Sequence, residues 1–462
     1  MGKEQITMFV TDLPKSLEDI SPEKDIFRTL SAPVSLQWEL TPFCNERCIH
    51  CYNYWRTDTL GEKLITTPDT LAVLDKVSSE IVRNKIFNVT VTGGEPLAIL
   101  KWAYPYLQRL AEGEVEISFN TNLTMLTKEK ARLLKDLGVK SILTSLISSN
   151  PQLNDELANR PDTHKDVSRG IRLALDEGFW VGVNMVVTKK NLHDIYTTAE
   201  YVKNLGVKAF SATKASTPTN NKGFEEYALS PQELRFMIQE LIRVRDSLDL
   251  STDSLEFYPV CMFDTQQTRD FTTNHSCNAG KTGCTIGFDG SIRPCSHASQ
   301  IYGSIQDKGG LKKAWENLQP WRTEEYIPIQ CLPCPVKNLC RGGCRSEAFV
   351  INGSLKAPDP YCEYPPVVLP RTPSRGKGVD LSAKFGFKPF VKAREENFGG
   401  ILFASPAKWT GVTCELYNFY RANRTKDFSL HDLAQGLLLD NVEVTSQTVE
   451  FLIQKDILYE SG

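Results

Sequence analysis

The sequence predicts an α/β protein: a partial barrel of six β/α units, a cysteine-rich extension, and a small α+β module of winged-helix type at the C-terminal end. Three observations predict it. Short β-rich runs alternate with helical patterns from about Ser35 to Ser247. A loop-rich stretch, Cys261 to Cys362, then holds most of the 13 cysteines. Beyond a segment rich in Pro and Gly, periodicity returns as two strands and three helical stripes. A chain of 462 residues exceeds one ordinary core and suggests two or three domains.

The barrel strands are expected at Ser35 to Leu40, Asn88 to Thr92, Val115 to Thr121, Ser141 to Ser145, Trp180 to Val187 and Lys208 to Ala212. Strand and helix in alternation is the signature of a parallel sheet. In the first helix Thr67 can cap, Pro68 suits the first turn, and Leu71, Leu74, Val77 and Ile81 form an apolar stripe. Ligands are expected at the loops following the carboxyl ends of the strands. The expected boundaries are 1–33 for an N-terminal extension, 34–250 for the barrel, 251–364 for the cysteine-rich extension, 365–380 for a linker and 381–462 for the last module.

With a net charge of -3 and no long apolar run, neither a nucleic-acid footprint nor a membrane span is expected. "MGKEQITMFV" has no apolar export segment, and Ile6 stands where N-myristoylation requires Ser or Thr. A cytoplasmic location follows as the expectation. There, a high cysteine density points to metal binding before disulfides.

The stretch "TPFCNERCIHCYNYW" sets Cys44, Cys48 and Cys51 at C-x3-C-x2-C spacing just after the first strand. Structural zinc is usually closed by four protein ligands, so three thiolates without a local fourth suggest an open metal position. Three thiolates can hold three irons of a 4Fe-4S cluster and leave the fourth for an exogenous ligand. In this the sequence resembles the radical S-adenosylmethionine (SAM) superfamily. The resemblance implies that SAM chelates the open iron and is cleaved reductively to a deoxyadenosyl radical that abstracts hydrogen. It gives Cys44, Cys48 and Cys51 the catalytic cluster, with Tyr52 beside them among the cofactor-binding residues.

Further matches stand at later strand ends. "TGGEP" (Gly93, Gly94, Glu95, Pro96) resembles the motif receiving the methionyl amine, with glycines for close backbone approach and Glu95 for charge-assisted bonding. Asn120 and Asn122 of "NTN", with Ser145, stand where ribose-binding groups lie in the family. "NDELANR" is similar to the segment whose arginine pairs with the SAM carboxylate, which implies Arg160 here. "VVTKKN", with Val187 and Asn191, resembles the strand end that flanks adenine. One departure is plain: many relatives read Ser-Leu-Asp-Gly after the fourth strand, whereas "SLISS" puts Ile147 in the acidic position and implies a less acidic pocket.

In the extension, Cys277 is followed after twelve residues by Gly290 and after four more by Cys295; Cys331, Cys334, Cys340 and Cys344 run C-x2-C-x5-C-x3-C, and Cys362 closes the series. This resembles the SPASM extension of radical SAM enzymes, with two auxiliary 4Fe-4S clusters. By the family's ligand order, Cys277, Cys284, Cys295 and Cys344 bind the first, and Cys331, Cys334, Cys340 and Cys362 the second, making three 4Fe-4S clusters in all. A pair of zinc sites is the alternative for such spacing. Ser296 occupies the position of an aspartate base in the sulfatase-maturing relatives and cannot readily take a proton at neutral pH, so dehydrogenation of a seryl or cysteinyl residue is not expected. Cys261 is either a buried structural thiol or a catalytic hydrogen donor facing the barrel mouth, and Cys414 packs.

In the last module, Phe390 to Glu396 and Gly399 to Ser405 read as a hairpin around Asn397. Leu416, Phe419 and Tyr420, then a capping box at Ser429 to Asp432, then Val449, Leu452, Ile453 and Ile457 mark three helices. From Leu381 onward nine Lys and Arg face ten Asp and Glu, which argues against a DNA reader. The order of elements resembles the peptide chaperone of pyrroloquinoline quinone biosynthesis and the RiPP recognition elements, which add a leader peptide as a strand at a sheet edge. The expected function is therefore a radical SAM peptide maturase. It would act on a precursor peptide with an external donor such as flavodoxin or ferredoxin, and install a thioether or carbon-carbon crosslink. The rivals are a redox-neutral epimerase using Cys261, a maturase of another enzyme or small molecule, and a zinc-stabilised winged-helix regulator without catalysis.

Overall fold

Strand β1 (Ser35–Glu39) alternates, with Leu36 and Trp38 buried, the period-two pattern of a strand inside a sheet. The computed structural model describes residues 30–53, 55, 67–218, 223–272, 276–363, 380, 382–439 and 442–461. The expected linker, apart from Asp380, and all of the expected N-terminal extension before Leu30 lie outside the described residues. The chain divides into two units: Val34–Val368, and Met1–Pro33 together with Leu369–Gly462.

In the larger unit, β1 is followed by α1 (Pro68–Arg83), β2 (Asn88–Thr92), α2 (Leu100–Glu112), β3 (Glu116–Asn120), α3 (Lys128–Asp136) and β4 (Ser141–Ser145). Then come α4 (Pro151–Ala158), α5 (Thr163–Asp176), β5 (Trp180–Val187), α6 (Ile195–Asn204), β6 (Ala209–Lys214), α7 (Pro231–Leu248) and β7 (Ser251–Asp253). The six expected strands are all present. The sixth runs two residues further than expected because β5 continues beside it, with Val187 opposite Lys214. Helix α1 begins as its sequence dictates: Thr67 Oγ1 accepts from the Thr70 amide at 3.2 Å and Pro68 fills the first turn. Its buried stripe contains Val73 with Leu74, Val77 and Ile81, while Leu71 is only half-buried.

The cysteine-rich extension adds α8 (Gln266–Thr272), β8 (Gly283–Ile286), β9 (Ser291–Arg293), β10 (Gly303–Ser304), α9 (Gly310–Asn317), α10 (Lys337–Cys340) and α11 (Arg345–Asn352). It is no separate sheet. β8 pairs parallel with β1, Ser35 opposite Gly283, on the side away from β2, so one ten-stranded sheet runs β10-β9-β8-β1-β2-β3-β4-β5-β6-β7. Both sides of β1 are thus hydrogen-bonded, and the loop that follows it lies amid the sheet.

The smaller unit has two three-stranded antiparallel sheets. In one, β11 (Lys384–Phe387) lies between β15 (Phe428–Ser429) and β16 (Leu458–Ser461); in the other, β13 (Gly399–Ser405) lies between β12 (Lys392–Glu396) and β14 (Lys408–Thr413). The expected hairpin is β12 and β13, while β11, β14 and β16 were not expected. Helices α12 (Cys414–Asn423), α13 (Leu430–Gly436) and α14 (Val442–Gln454) match the three stripes, and Ser429 and Asp432 form the capping box. Phe387 meets Tyr420 edge-on at 5.0 Å and Phe419 meets Phe428 at 4.9 Å, so aromatic contacts knit the helices to the β11 sheet. Among the described residues no helix is long and apolar enough to cross a membrane.

Residues 31–33 belong to this unit through a buried ion pair on β12. Arg394 bonds Glu396 at 2.8 Å and donates to the carbonyls of Ala32 (2.7 Å) and Pro33 (2.8 Å), while Glu396 accepts from the Ser31 amide at 2.8 Å. Replacing Arg394 by Met leaves a carboxylate buried without its partner. The expected loss is about 3 kcal/mol, read as faster amide hydrogen exchange in β12, β13 and residues 30–33 of the full chain.

Candidate active site

Thr41 to Asn53 is a loop without regular structure, so its shape must come from what it touches. The strand end Thr92 to Pro96 supplies that. The Gly94 amide donates to the Thr41 carbonyl at 2.7 Å and the Glu95 amide to the Phe43 carbonyl at 2.6 Å. A β-carbon on Gly94 would stand 1.9 Å from the Phe43 oxygen, and Gly93 has a φ of +143° with Thr41 packed where its side chain would be. Only glycines allow this approach. On the other side, the Arg47 and Ile49 amides donate to the Ala158 and Leu157 carbonyls at 3.1 and 3.0 Å, tying the loop to the end of α4.

A circuit of side chains closes the arrangement. Glu95 accepts from Thr121 Oγ1 (2.6 Å), the Asn122 amide (2.8 Å) and the Leu97 amide (2.9 Å). Asn122 donates to Asn45 Oδ1 of the cysteine loop at 2.9 Å, Asn45 donates to Thr124 Oγ1 at 2.8 Å, and Thr124 donates back to Asn122 Oδ1 at 2.7 Å. Glu95 and Asn122 are therefore engaged with this chain's own donors and acceptors. Asn120 ends β3 opposite Leu143, Ser145 ends β4 opposite Asn184, and Val187 is buried at the end of β5. Arg160 follows Asn159, which is left-handed at φ 47°, and its guanidinium pairs with Asp166 at 2.6 Å. Asn191 is fully buried: its oxygen accepts from Thr188 twice (2.7 and 3.0 Å), and its amide donates to the carbonyls of Ile147 (2.7 Å) and Val186 (2.9 Å). That commits the whole side chain to bracing the β4 and β5 loops.

Burial dominates the electrostatics. It pushes the Cys44 thiol up to about 12, with Glu95 adding to the rise, and lifts Cys48 well above the ordinary thiol range, with Glu46, Cys51 and Cys44 adding. Burial also raises Glu95 against its three hydrogen bonds, and raises Glu46 to about 7 against a bond from the Cys48 thiol. Cys44 and Cys48 thus sit beside other thiols and carboxylates where a thiolate is costly without a positive partner.

Sequence reasoning missed the layer beneath. Tyr52 stacks on His297 at 3.9 Å and its hydroxyl bonds Ser296, so the residue after Cys51 rests on residues just after Cys295. Glu39, at the end of β1, makes a buried ion pair with Arg293 of β9, whose guanidinium also donates to the Ser296 and Ala298 carbonyls at 3.0 Å. Burial lifts Glu39 to about 7 although Arg293 opposes it, and burial with nearby Lys214 holds His297 down at about 4. Lys214, at the end of β6, lies 3.3 Å from both Glu256 and Glu347; these outweigh the burial that opposes its charge. No local pattern marks these partners, which lie up to 254 residues apart.

Cys295 feels the charge of Cys277 and lies 3.6 Å from Ser346, in the first turn of the helix that Cys344 caps. Cys284 is buried on β8, paired with Leu36. Cys331, Cys334, Cys340 and Cys362 line one cavity, and Cys261 lines it with them. Cys414 is exposed at the start of α12, against the expectation that it packs. Among the described residues no three His, Cys, Asp or Glu side chains converge as ligands of one metal ion would.

Residues 38–202 match the model of the radical SAM superfamily. They form a radical SAM domain, of a family that binds SAM and a 4Fe-4S cluster, and the protein is an enzyme. Among its relatives, the AdoMet-dependent heme synthase of Methanosarcina barkeri is 25% identical over 351 residues, 73% of this chain and 98% of that protein. The mycofactocin maturase MftC of Mycolicibacterium smegmatis is 24% identical over 341 residues, 72% of this chain and 84% of the maturase. The crystal structure of Streptococcus suis SuiB bound to the precursor peptide SuiA superposes with a TM-score of 0.58 at 17% identity, over 76% of this chain and 79% of SuiB.

Gly94→Ala tests the loop geometry. The added methyl must push Phe43 and with it Cys44, and a displacement on the order of 1 Å costs about 100-fold in a positioned reaction. SAM cleavage is expected to fall by at least that factor, while Gly138→Ala, whose cost is local backbone strain at a φ of +73° with nothing within 4 Å, leaves it within about twofold.

Proposed function

We propose that this enzyme is a radical SAM peptide maturase that installs a thioether or carbon-carbon crosslink in a precursor peptide. The observation that carries the reading is the smaller unit, where β12 and β14 are the outer strands of a three-stranded antiparallel sheet followed by three helices. An extended leader peptide would add to such an edge by main-chain hydrogen bonds. The maturase relative and the peptide-bound structural neighbour support the same substrate class. A leader held by one unit raises the effective concentration of its core segment at the other.

In this reading Cys44, Cys48 and Cys51 hold the SAM-binding cluster. Cys277, Cys284, Cys295 and Cys344 hold the first auxiliary cluster, and Cys331, Cys334, Cys340 and Cys362 the second. When bound, these groups supply one-electron chemistry, with a flavodoxin or ferredoxin as reductant. This chain's residues do the rest. The Gly93 and Gly94 turn fixes the cysteine loop, Arg160 is the cation for a SAM carboxylate, and the polar ends of β3 and β4 at Asn120 and Ser145 face the ribose. Ser296, bonded to Tyr52, is no base, which favours crosslinking over dehydrogenation of a seryl or cysteinyl residue. A crosslink removes two hydrogens from the peptide, a net two-electron oxidation.

A second reading has one observation behind it: the match to heme synthase spans 98% of that protein, which favours a small-molecule substrate. Mass spectrometry separates the two. The short peptide encoded nearest this gene is co-produced anaerobically with the intact enzyme and with a version ending at Pro365. Loss of two hydrogens, about 2 Da, with the intact enzyme alone is the expected result. Unchanged mass with deuterium uptake would mean epimerisation, and no change of either kind would favour the small molecule.

A further inference from the structure

The second thiol cavity holds one cysteine more than a cluster needs. Cys331, Cys334, Cys340 and Cys362 complete a four-thiolate set, yet Cys261 lines the same cavity together with Gly342. The fifth thiol is built in. Cys261 sits in a short 3-10 turn, Val260–Met262, entered from Pro259. Pro259 is packed against Gly343, where a β-carbon would come within 2.7 Å of the proline ring, and the Val260 backbone bonds the Cys340 sulfur. The Cys362 thiol bonds Cys261 directly and also bonds Cys331.

A clamp from the barrel holds the two thiols together. Arg235, on α7, donates through Nε to the Met262 carbonyl at 2.7 Å and pairs with the Glu363 carboxylate. One guanidinium thus fixes the residue after Cys261 and the residue after Cys362. Met262 itself is buried, so the turn has little room to swing away.

We propose that Cys261 is a ligand of this second auxiliary site in its own right, able to bind the iron assigned above to Cys362, so that either thiol completes the set. The proposal rests on the assignment of a second auxiliary cluster to this cavity. The exchange is balanced without an oxidant or reductant: one iron-sulfur bond breaks at Cys362, one forms at Cys261, and the proton of the incoming thiol passes to the outgoing thiolate. Retention of the cluster then does not depend on the ligand nearest the Pro- and Gly-rich segment.

Iron and acid-labile sulfide, counted after anaerobic reconstitution of the full chain, test this. Wild type should hold about twelve irons and Cys334→Ala about eight. Cys261→Ala and Cys362→Ala should each hold about twelve, and the double variant about eight, with an unchanged far-UV circular dichroism spectrum reporting the fold. A drop to about eight in Cys362→Ala alone overturns the proposal, as does a double variant that still holds about twelve. Wild type at about eight irons, no richer than Cys334→Ala, would remove the second cluster itself, and the proposal with it. Low-temperature electron paramagnetic resonance of reduced Cys362→Ala gives an independent readout: the signals of all three clusters should persist.

Discussion

The contact on which the site depends is backbone on backbone: the turn at Gly93 and Gly94 pressed against Thr41 and Phe43. Three thiols in an irregular loop have no ladder of their own to hold them. The loop borrows its shape from β2, whose end contributes two amides, and from α4, whose last carbonyls accept two more. Each such bond contributes on the order of 1 kcal/mol net. Their joint effect is geometric, since loosening one loop releases the next through Glu95, Asn122 and Asn45.

The second constraint is charge kept out of water. Glu39, Glu46 and Glu95, with the Cys44 and Cys48 thiols, crowd one end of the sheet. Cations answer each carboxylate: Arg293 pairs with Glu39, Arg160 acts on Glu46 and Lys130 on Glu95, and Lys214 meets Glu256 and Glu347 further along. Buried ion pairs add little net stability but are costly to break, so they hold a single arrangement. Here the pairs join elements far apart in sequence. Arg293 locks the cysteine-rich extension to the first barrel strand, and the Tyr52 and His297 stack carries that lock to the cysteine loop.

What the sequence made legible was local. Period-two runs gave the six strands, and caps at Thr67 and Ser429 marked helix starts, because each signal lies within one turn or one strand. The cysteine spacings were legible for the same reason. Pairings between distant segments were not: nothing in "GCTI" announces that β8 will run parallel to β1, or that β11 will find β16 across the smaller unit. Asn191 shows the limit at the level of a side chain. Its place after β5 marks it in sequence, but the four hydrogen bonds by which it braces the surrounding segments do not show there. Cys261 has no partner at a telling spacing, and its grouping with Cys362 depends on a clamp from α7.

The departure at Ile147 has a physical basis. Its side chain is buried with Leu157 and Ala158, and Cys48, Ile49 and Leu153 pack against that cluster. Its backbone is braced independently, the amide donating to Asn154 at 3.0 Å and the carbonyl accepting from Asn191. The main chain therefore keeps its path whatever the side chain is. An acidic residue in that setting would bring a second carboxylate toward a thiol that Glu46 already disfavours in its charged form. With isoleucine, Cys48 and Ile49 pack against an apolar cluster, while the Gly94 turn holds the residues before Cys44 by hydrogen bonds.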